Sequence, residues 1–260
     1  MTAVIAFANQ KGGVGKSTLA AQFAYFLQIK AGKKVLFIDM DAQGNSTKTL
    51  LEVQAGESLG DKLTASCSDS LFDEESGELN IQTTNRGIDL IGSSQTAEGY
   101  DVEKQELKCA LLPRQKLASV LGGYDFVIID GPPSLGNRLA GSLILATHVV
   151  CPVKLSGYSV DGLTSLFGTI RDIQKGPNRR LKILGVAINE YQDTAPQRDT
   201  LKDVEAALPG LVLKNRIRSR SPIDVATRGI PIFEVRNGQR AAAEMLALFN
   251  EMLERAEGSV

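Results

Sequence analysis

Asn9-Gln10-Lys11-Gly12-Gly13-Val14-Gly15-Lys16-Ser17-Thr18 contains the form K-G-G-x-G-K-[ST], a variant of the phosphate-binding loop. The standard G-x-x-x-x-G-K-[ST] pattern is not met, because Gln10 stands where its first glycine belongs. Residues 3–8 ahead of the loop are a continuous apolar run suited to a buried parallel strand, and residues 17–30 behind it have helical spacing before Gly32. Strand, glycine loop and helix thus follow in the order a polyphosphate site requires. Gly12, Gly13 and Gly15 allow the backbone, with Val14 between them, to curl with its N–H groups inward, and the helix starting near Lys16 adds its positive end. In that geometry Lys16 neutralises the β- and γ-phosphates, Ser17 gives its hydroxyl to Mg2+ and Thr18 bonds the α-phosphate.

Working outward, short apolar runs at 34–39, 88–92, 125–130, 148–153 and 183–189 alternate with helical patterning near 113–121, 135–146, 160–174 and 197–208. Such alternation predicts an α/β P-loop NTPase fold, a mostly parallel twisted sheet with helices on both faces and the ligand at the carboxyl ends of the strands. The polar, acidic stretch 66–78 reads as a surface insertion, and with no repeat, low-complexity tract or clear linker, residues 1–260 read as a single domain.

The formal net charge of −1 means that nucleic-acid binding has to come from a local basic patch. No apolar run reaches the length of a membrane span, and the first eight residues lack a signal-peptide pattern, so a cytoplasmic location is expected. Cys67, Cys109 and Cys151 are far apart and none forms a C-x-x-C pair, which argues against a metal site of neighbouring ligands. Cys151 and the lone histidine, His148, sit in one apolar run and read as buried structural residues.

Two apolar runs end in aspartate, and the strand ends of a parallel sheet open onto one crevice. Asp130, between Phe-Val-Ile-Ile and Gly-Pro-Pro-Ser, fits the role of holding Mg2+ through water. Asp39 and Asp41 are two residues apart; one can support the metal shell while the other approaches the attacking water, and spacing does not assign them.

These pieces, together with residues 38–45 (Ile-Asp-Met-Asp-Ala-Gln-Gly-Asn), 124–134 (Tyr-Asp-Phe-Val-Ile-Ile-Asp-Gly-Pro-Pro-Ser) and 152–163 with its Asp-Gly-Leu, resemble the ParA branch of the ParA/MinD deviant-Walker ATPases nearly end to end. Gly131 replaces a usual threonine and Ala42 a usual proline; neither is a phosphate or metal ligand. The resemblance implies that Asp41 orients the hydrolytic water, that Asp39 lies near the metal and that Asn189 contacts the adenine. It also implies an ATP-dependent homodimer in which Lys11 crosses to the partner's phosphates, with Gly12 at the contact face.

ParA and MinD proteins differ in the surface they bind. Lys214, Arg216, Arg218 and Arg220 recur at every second residue and share a face if the chain is extended there. That face is either a nonspecific DNA-backbone contact or an edge strand protected by charge. The resemblance favours DNA, with Arg220 the best fit to the family's recurring arginine and Arg218 next. The last helical segment, 240–256, has an apolar stripe but mainly glutamates among its charges, which favours packing on the domain over membrane attachment. The expected protein is a small partition ATPase that uses ATP and Mg2+, associates with the nucleoid, and responds to a ParB-like centromere-binding adaptor. With eight residues ahead of Asn9, no N-terminal helix-turn-helix domain is expected. The rival readings are positioning of a protein cargo by the same cycle, a MinD-like membrane ATPase, and a metabolic P-loop synthetase acting on a small acceptor.

Overall fold

The computed structural model describes residues 2–94 and 107–258. In chain order its main elements are β1 (Ala3–Phe7), α1 (Lys16–Tyr25), β2 (Val35–Asp39), α2 (Asn45–Leu50), α3 (Leu59–Lys62), β3 (Gln82–Thr83), β4 (Asp89–Ile91), α4 (Leu107–Lys116) and β5 (Phe126–Asp130). Then come α5 (Asn137–Leu145), β6 (His148–Lys154), α6 (Ser159–Lys175), β7 (Lys182–Asn189), α7 (Ala195–Ala207), α8 (Ser221–Ala226) and α9 (Gln239–Glu257). The strands form one sheet in the order β3-β4-β2-β5-β1-β6-β7, parallel except where β3 meets β4.

The apolar runs are continuous because both faces of the sheet are covered. In β1, Ala3, Ile5 and Phe7 enter the core shared with α1 and α9, while Val4, Ala6 and Ala8 enter the opposite core under α5 and α6. β2 and β5 divide in the same way, Phe37 and Ile128 to the first side, Ile38 and Ile129 to the second. With β5 between β1 and β2, the registers Phe7↔Asp130 and Asp39↔Asp130 bring three strand ends to one point of the carboxyl edge. Sequence-distant groups therefore meet where the glycine loop leaves β1.

Three details depart from the sequence expectations. The helix expected at 113–121 is Leu107–Lys116, with Pro113 inside it and a short 3-10 turn at Leu121–Gly123 beyond. Packing overrides the proline there: a Cβ built on Gly141 of α5 would lie 3.3 Å from Pro113 Cγ, so glycine lets the two helices approach closely. The stretch 66–78 is not wholly a surface insertion, since Leu71 and Phe72 are buried and anchor it to the core. The short helices α2 and α8 carry too few residues for a periodic signal.

The apolar stripe of α9 packs on the domain: Met245, Leu248, Phe249 and Met252 are fully buried. No helix among the described residues is long and apolar enough to cross a membrane. Phe249 closes an aromatic cluster, 5.4 Å from Phe23 and 5.8 Å from Phe26 between ring centroids. Phe249→Ala should lower unfolding free energy by about 3–5 kcal/mol, since a large cavity cannot be refilled by neighbours already in contact. Denaturant titration checks this; a loss below about 1 kcal/mol would show that α9 contributes little to the core.

Candidate nucleotide site

The glycine loop runs from the end of β1 into α1, and Gly15 caps that helix with φ +87°. A side chain is excluded at Gly15 on two grounds: the positive φ, and a Cβ position only 2.2 Å from Asn189 Nδ2. Nothing lies within 4 Å of the Cβ positions at Gly12 and Gly13, which border open space. No acidic residue occupies the first turn of α1, so its free N–H groups present an uncompensated positive end.

The loop opens on a cavity of about 600 Å3 whose wall includes Gly13, Lys16, Ser17, Thr18, Asp41 and Arg228. Lys16 is 6% exposed, its Nζ 3.5 Å from the Lys11 carbonyl. Burial lowers its pKa, and the charges of Asp130 and Asp41 oppose that shift.

Asp130 is fully buried and accepts a 2.6 Å hydrogen bond from Ser46 Oγ through Oδ2, while its Oδ1 has no hydrogen-bond partner. Burial pushes its carboxyl well above the ordinary range, the neighbouring Asp39 charge adds to this, and the hydroxyls of Ser46 and Ser17 oppose it. An orphaned carboxylate oxygen beside a P-loop serine fits a magnesium ion held through water. Asp39, also fully buried, is engaged within the protein: Oδ2 accepts from Thr47 N at 2.9 Å and Thr47 Oγ1 at 2.7 Å, and Oδ1 accepts from Asp41 N at 3.1 Å. Burial raises its pKa as well, against these hydrogen bonds. Asp41 reaches the cavity, with Oδ1 accepting from Gln43 N at 3.0 Å.

Lys11 stands apart from these groups. It is exposed, does not line the cavity that holds Lys16, and donates from Nζ to Ser156 Oγ at 3.1 Å.

Gly15, Thr18 and Thr227 also border a second cavity, of about 280 Å3, where Asn189 lies with Ser219, Arg220 and Ile223. Asn189 is 4% exposed; its Nδ2 donates to Val14 O at 3.0 Å and its Oδ1 is buried without a partner. An unpaired amide oxygen in a cavity continuous with the phosphate loop suits an exocyclic amine.

The basic stretch follows the outer edge of β7 through Leu213 N→Val186 O at 2.9 Å and Ile217 N→Ile188 O at 3.0 Å. It is not evenly extended as its spacing predicts: it bends at Lys214, and residues 213–217 run beside only Val186 to Ile188 of β7. Leu213 and Ile217 turn inward; Lys214 and Arg218 are exposed, whereas Arg216 and Arg220 are half-buried. Two of these are paired: Arg220 with Glu244 at 2.7 Å and Arg216 with Glu205 at 3.1 Å. Lys214 and Arg218 are exposed and form no ion pair among the described residues. Sequence reasoning missed Ser46 and Thr47, which hold the two buried aspartates, and the α8 segment of the second cavity. The signal for the first pair was the polar Asn45-Ser46-Thr47 run that begins six residues past the end of β2.

The buried Asp130 carboxylate carries a penalty with a definite sign. Asp130 has a folded pKa raised above its unfolded value, so the stability it permits at low pH is lost as pH rises from the ordinary carboxylate range. Asp130→Asn, which cannot ionise, should therefore raise the melting temperature of the metal- and nucleotide-free protein at pH 8 by several degrees, about 1–3 kcal/mol. The gain should shrink towards pH 4; a melting temperature that is unchanged or lower at pH 8 counts against a strained carboxylate.

A family profile described as an AAA domain matches residues 2–183. The chain is 32% identical to the chromosome-partitioning ATPase Soj of Treponema pallidum, over 89% of each chain. Among solved structures it is similar to cobyrinic acid a,c-diamide synthase from Mycobacterium smegmatis with bound ADP and magnesium, at 28% identity and TM-score 0.78, covering 100% of this chain and 97% of that one. It is likewise similar to a plasmid partition protein from Borrelia burgdorferi, at 26% identity and TM-score 0.71, covering 89% and 97%. With the lysine-flanked glycine loop, the strand-end aspartates and these matches together, the chain belongs to the ParA/MinD family of P-loop ATPases.

Proposed function

We propose that this protein is a DNA partition ATPase: two copies holding ATP and Mg2+ close face to face, the dimer binds DNA without sequence preference, and a ParB-like adaptor accelerates hydrolysis and so releases it. The single observation that carries the reading is the placement of Lys11, an exposed cation of the phosphate loop that does not line its own subunit's cavity. A second copy is where such a cation would find phosphates. Leu135 and Tyr158, 60% and 79% exposed, belong to the loop after Asp130 and the segment carrying Ser156, and would supply apolar contact area to a partner subunit. The chromosome-partitioning role printed for the Treponema pallidum relative supports the purpose of the cycle.

Within one subunit Lys16 binds the β- and γ-phosphates, the α1 N–H groups and Thr18 bind further back, and Asn189 reads the adenine. Mg2+ would be held by Ser17 and, through water, by Asp130, and would neutralise charge on the β- and γ-phosphates. Asp41 orients the attacking water, and Asp39 braces Thr47 and the Asp41 backbone rather than offering a free oxygen. On the outer edge, Lys214 and Arg218 carry most of the DNA contact, since glutamates already neutralise Arg216 and Arg220. The protein would then act in the cytoplasm on nucleoid or plasmid DNA.

A second reading follows from the diamide synthase match: transfer chemistry on a small acceptor, with ATP consumption that depends on that acceptor. Sedimentation separates the two. With a non-hydrolysable ATP analogue the wild type should double in mass and Lys11→Ala should remain single while keeping nucleotide affinity. Lys16→Ala should lose tight binding, and Asp41→Ala should dimerise with turnover cut to a small residual rate. A protein that stays single-copy at saturation defeats the partition reading.

DNA retention on the same samples tests the outer edge. Lys214→Ala and Arg218→Ala should each weaken ATP-dependent DNA binding and reduce the salt slope by about 1 while leaving ATPase activity intact. Unchanged affinity and slope would place the DNA contact elsewhere.

A further inference from the structure

Arg138, the second residue of α5, is 1% exposed and is the largest fully buried side chain among the described residues. Its Nε donates to the Met40 carbonyl at 2.6 Å, and one terminal nitrogen reaches Ser68 Oγ at 2.7 Å and Ser93 Oγ at 3.3 Å. Burying a guanidinium costs several kcal/mol before its contacts are counted, and an apolar side chain of similar volume could fill the gap between α5 and β2 without that cost. Packing alone is therefore a poor reason for an arginine here.

The groups it holds supply a better one. Met40 lies between Asp39 and Asp41, and its N–H donates to the Asp130 carbonyl at 2.9 Å. Both polar atoms of Met40 are thus tied, one to β5 and the other to Arg138. Ser93 N donates to Thr47 Oγ1 at 2.9 Å, and that hydroxyl donates to Asp39. The arginine accordingly touches the chain that leads into Asp41 directly and the support of Asp39 through one serine. It does so from the helix that starts seven residues after Asp130 in the chain.

We propose that Arg138 is a positioning residue for ATP hydrolysis: it fixes the Met40–Asp41 peptide so that the Asp41 carboxylate is aimed at the attacking water, and it ties that peptide to the helix following Asp130. Arg138 does not line the phosphate-loop cavity. It acts through Asp41, and the proposal rests on Asp41 being the water-orienting carboxylate. A rotation of the Met40–Asp41 peptide would move the carboxylate while leaving Lys16 and the glycine loop in place, so turnover should suffer and nucleotide affinity should not.

The test is a double-mutant cycle on the full chain, with kcat, ATP affinity and melting temperature read for each variant. Arg138→Met should lower kcat roughly tenfold or more while ATP affinity stays within about threefold. Arg138→Lys, whose ammonium can reach the Met40 carbonyl or the serines but not all of them in the same fork, should fall between. Combined with Asp41→Ala, Arg138→Met should add almost no further loss in single-turnover rate, because the group it aims is gone. Should Arg138→Met not fold, Arg138→Lys and Ser68→Ala carry the test, each expected to lower kcat with unchanged ATP affinity. Equal losses in affinity and kcat, full additivity with Asp41→Ala, or normal kcat in the foldable variants overturns the proposal. Normal turnover in Asp41→Ala alone removes the Asp41 reading and this role with it. A slowed Asp41→Ala beside a normal Arg138→Lys removes only Arg138.

Discussion

Asp39 and Asp130 face each other across adjacent parallel strands, fully buried, with Lys16 the nearest cation in the loop beside them. Two carboxylates in that position repel and are poorly hydrated, and each is raised in pKa chiefly by burial. The strand order forces the arrangement: β5 sits between β1 and β2, so the ends of all three strands, and the glycine loop leaving one of them, converge. The fold can carry this strain because both sheet faces bury long apolar runs. Around the pair it supplies partial relief, Thr47 for Asp39 and Ser46 for Asp130, and leaves one Asp130 oxygen without a partner. The incompleteness is directional. In the proposed function, that oxygen is the one a water-held cation would engage.

The parts of this arrangement differ in how far the chain advertises them. The phosphate loop is legible because its chemistry is local: Gly12 to Thr18 must be contiguous for the backbone to wrap an anion, and the flanking strand and helix follow at once. The aspartates are legible by another route, as the last residues of apolar runs in a parallel sheet whose strand ends share an edge. Helix limits near Pro113 were not legible, since the deciding contact is with Gly141, far along the chain. Arg138 was least legible of all. Its partners Met40, Ser68 and Ser93 lie 98, 70 and 45 residues away, and nothing in the local pattern of α5 separates a buried arginine from a solvated one.

The alternation of Lys214, Arg216, Arg218 and Arg220 was legible only in part, both as geometry and as charge. Hydrogen bonds hold the segment along β7 with Leu213 and Ile217 buried, yet a bend at Lys214 breaks the even period between them. What the spacing could not convey is that glutamates from α7 and α9 approach the same edge and neutralise two of the four cations. A row of like charges on an edge strand therefore has two separable components, one facing solvent and one committed to holding the edge against α7 and α9.

Arg220 links this edge to the nucleotide site. Its guanidinium is held by Glu244 on α9, and the residue borders the same cavity as Asn189 and Thr18. Arg218 N donates to that glutamate too, at 3.0 Å, so one carboxylate fixes both the side chain at the cavity and the backbone of the exposed strip. The nearness is topological: β7 ends in Asn189, and the segment returning along its outer edge must pass that end before entering α8. The cavity beside Asn189 therefore shares a wall with the end of the basic strip, and Glu244 braces that wall from α9.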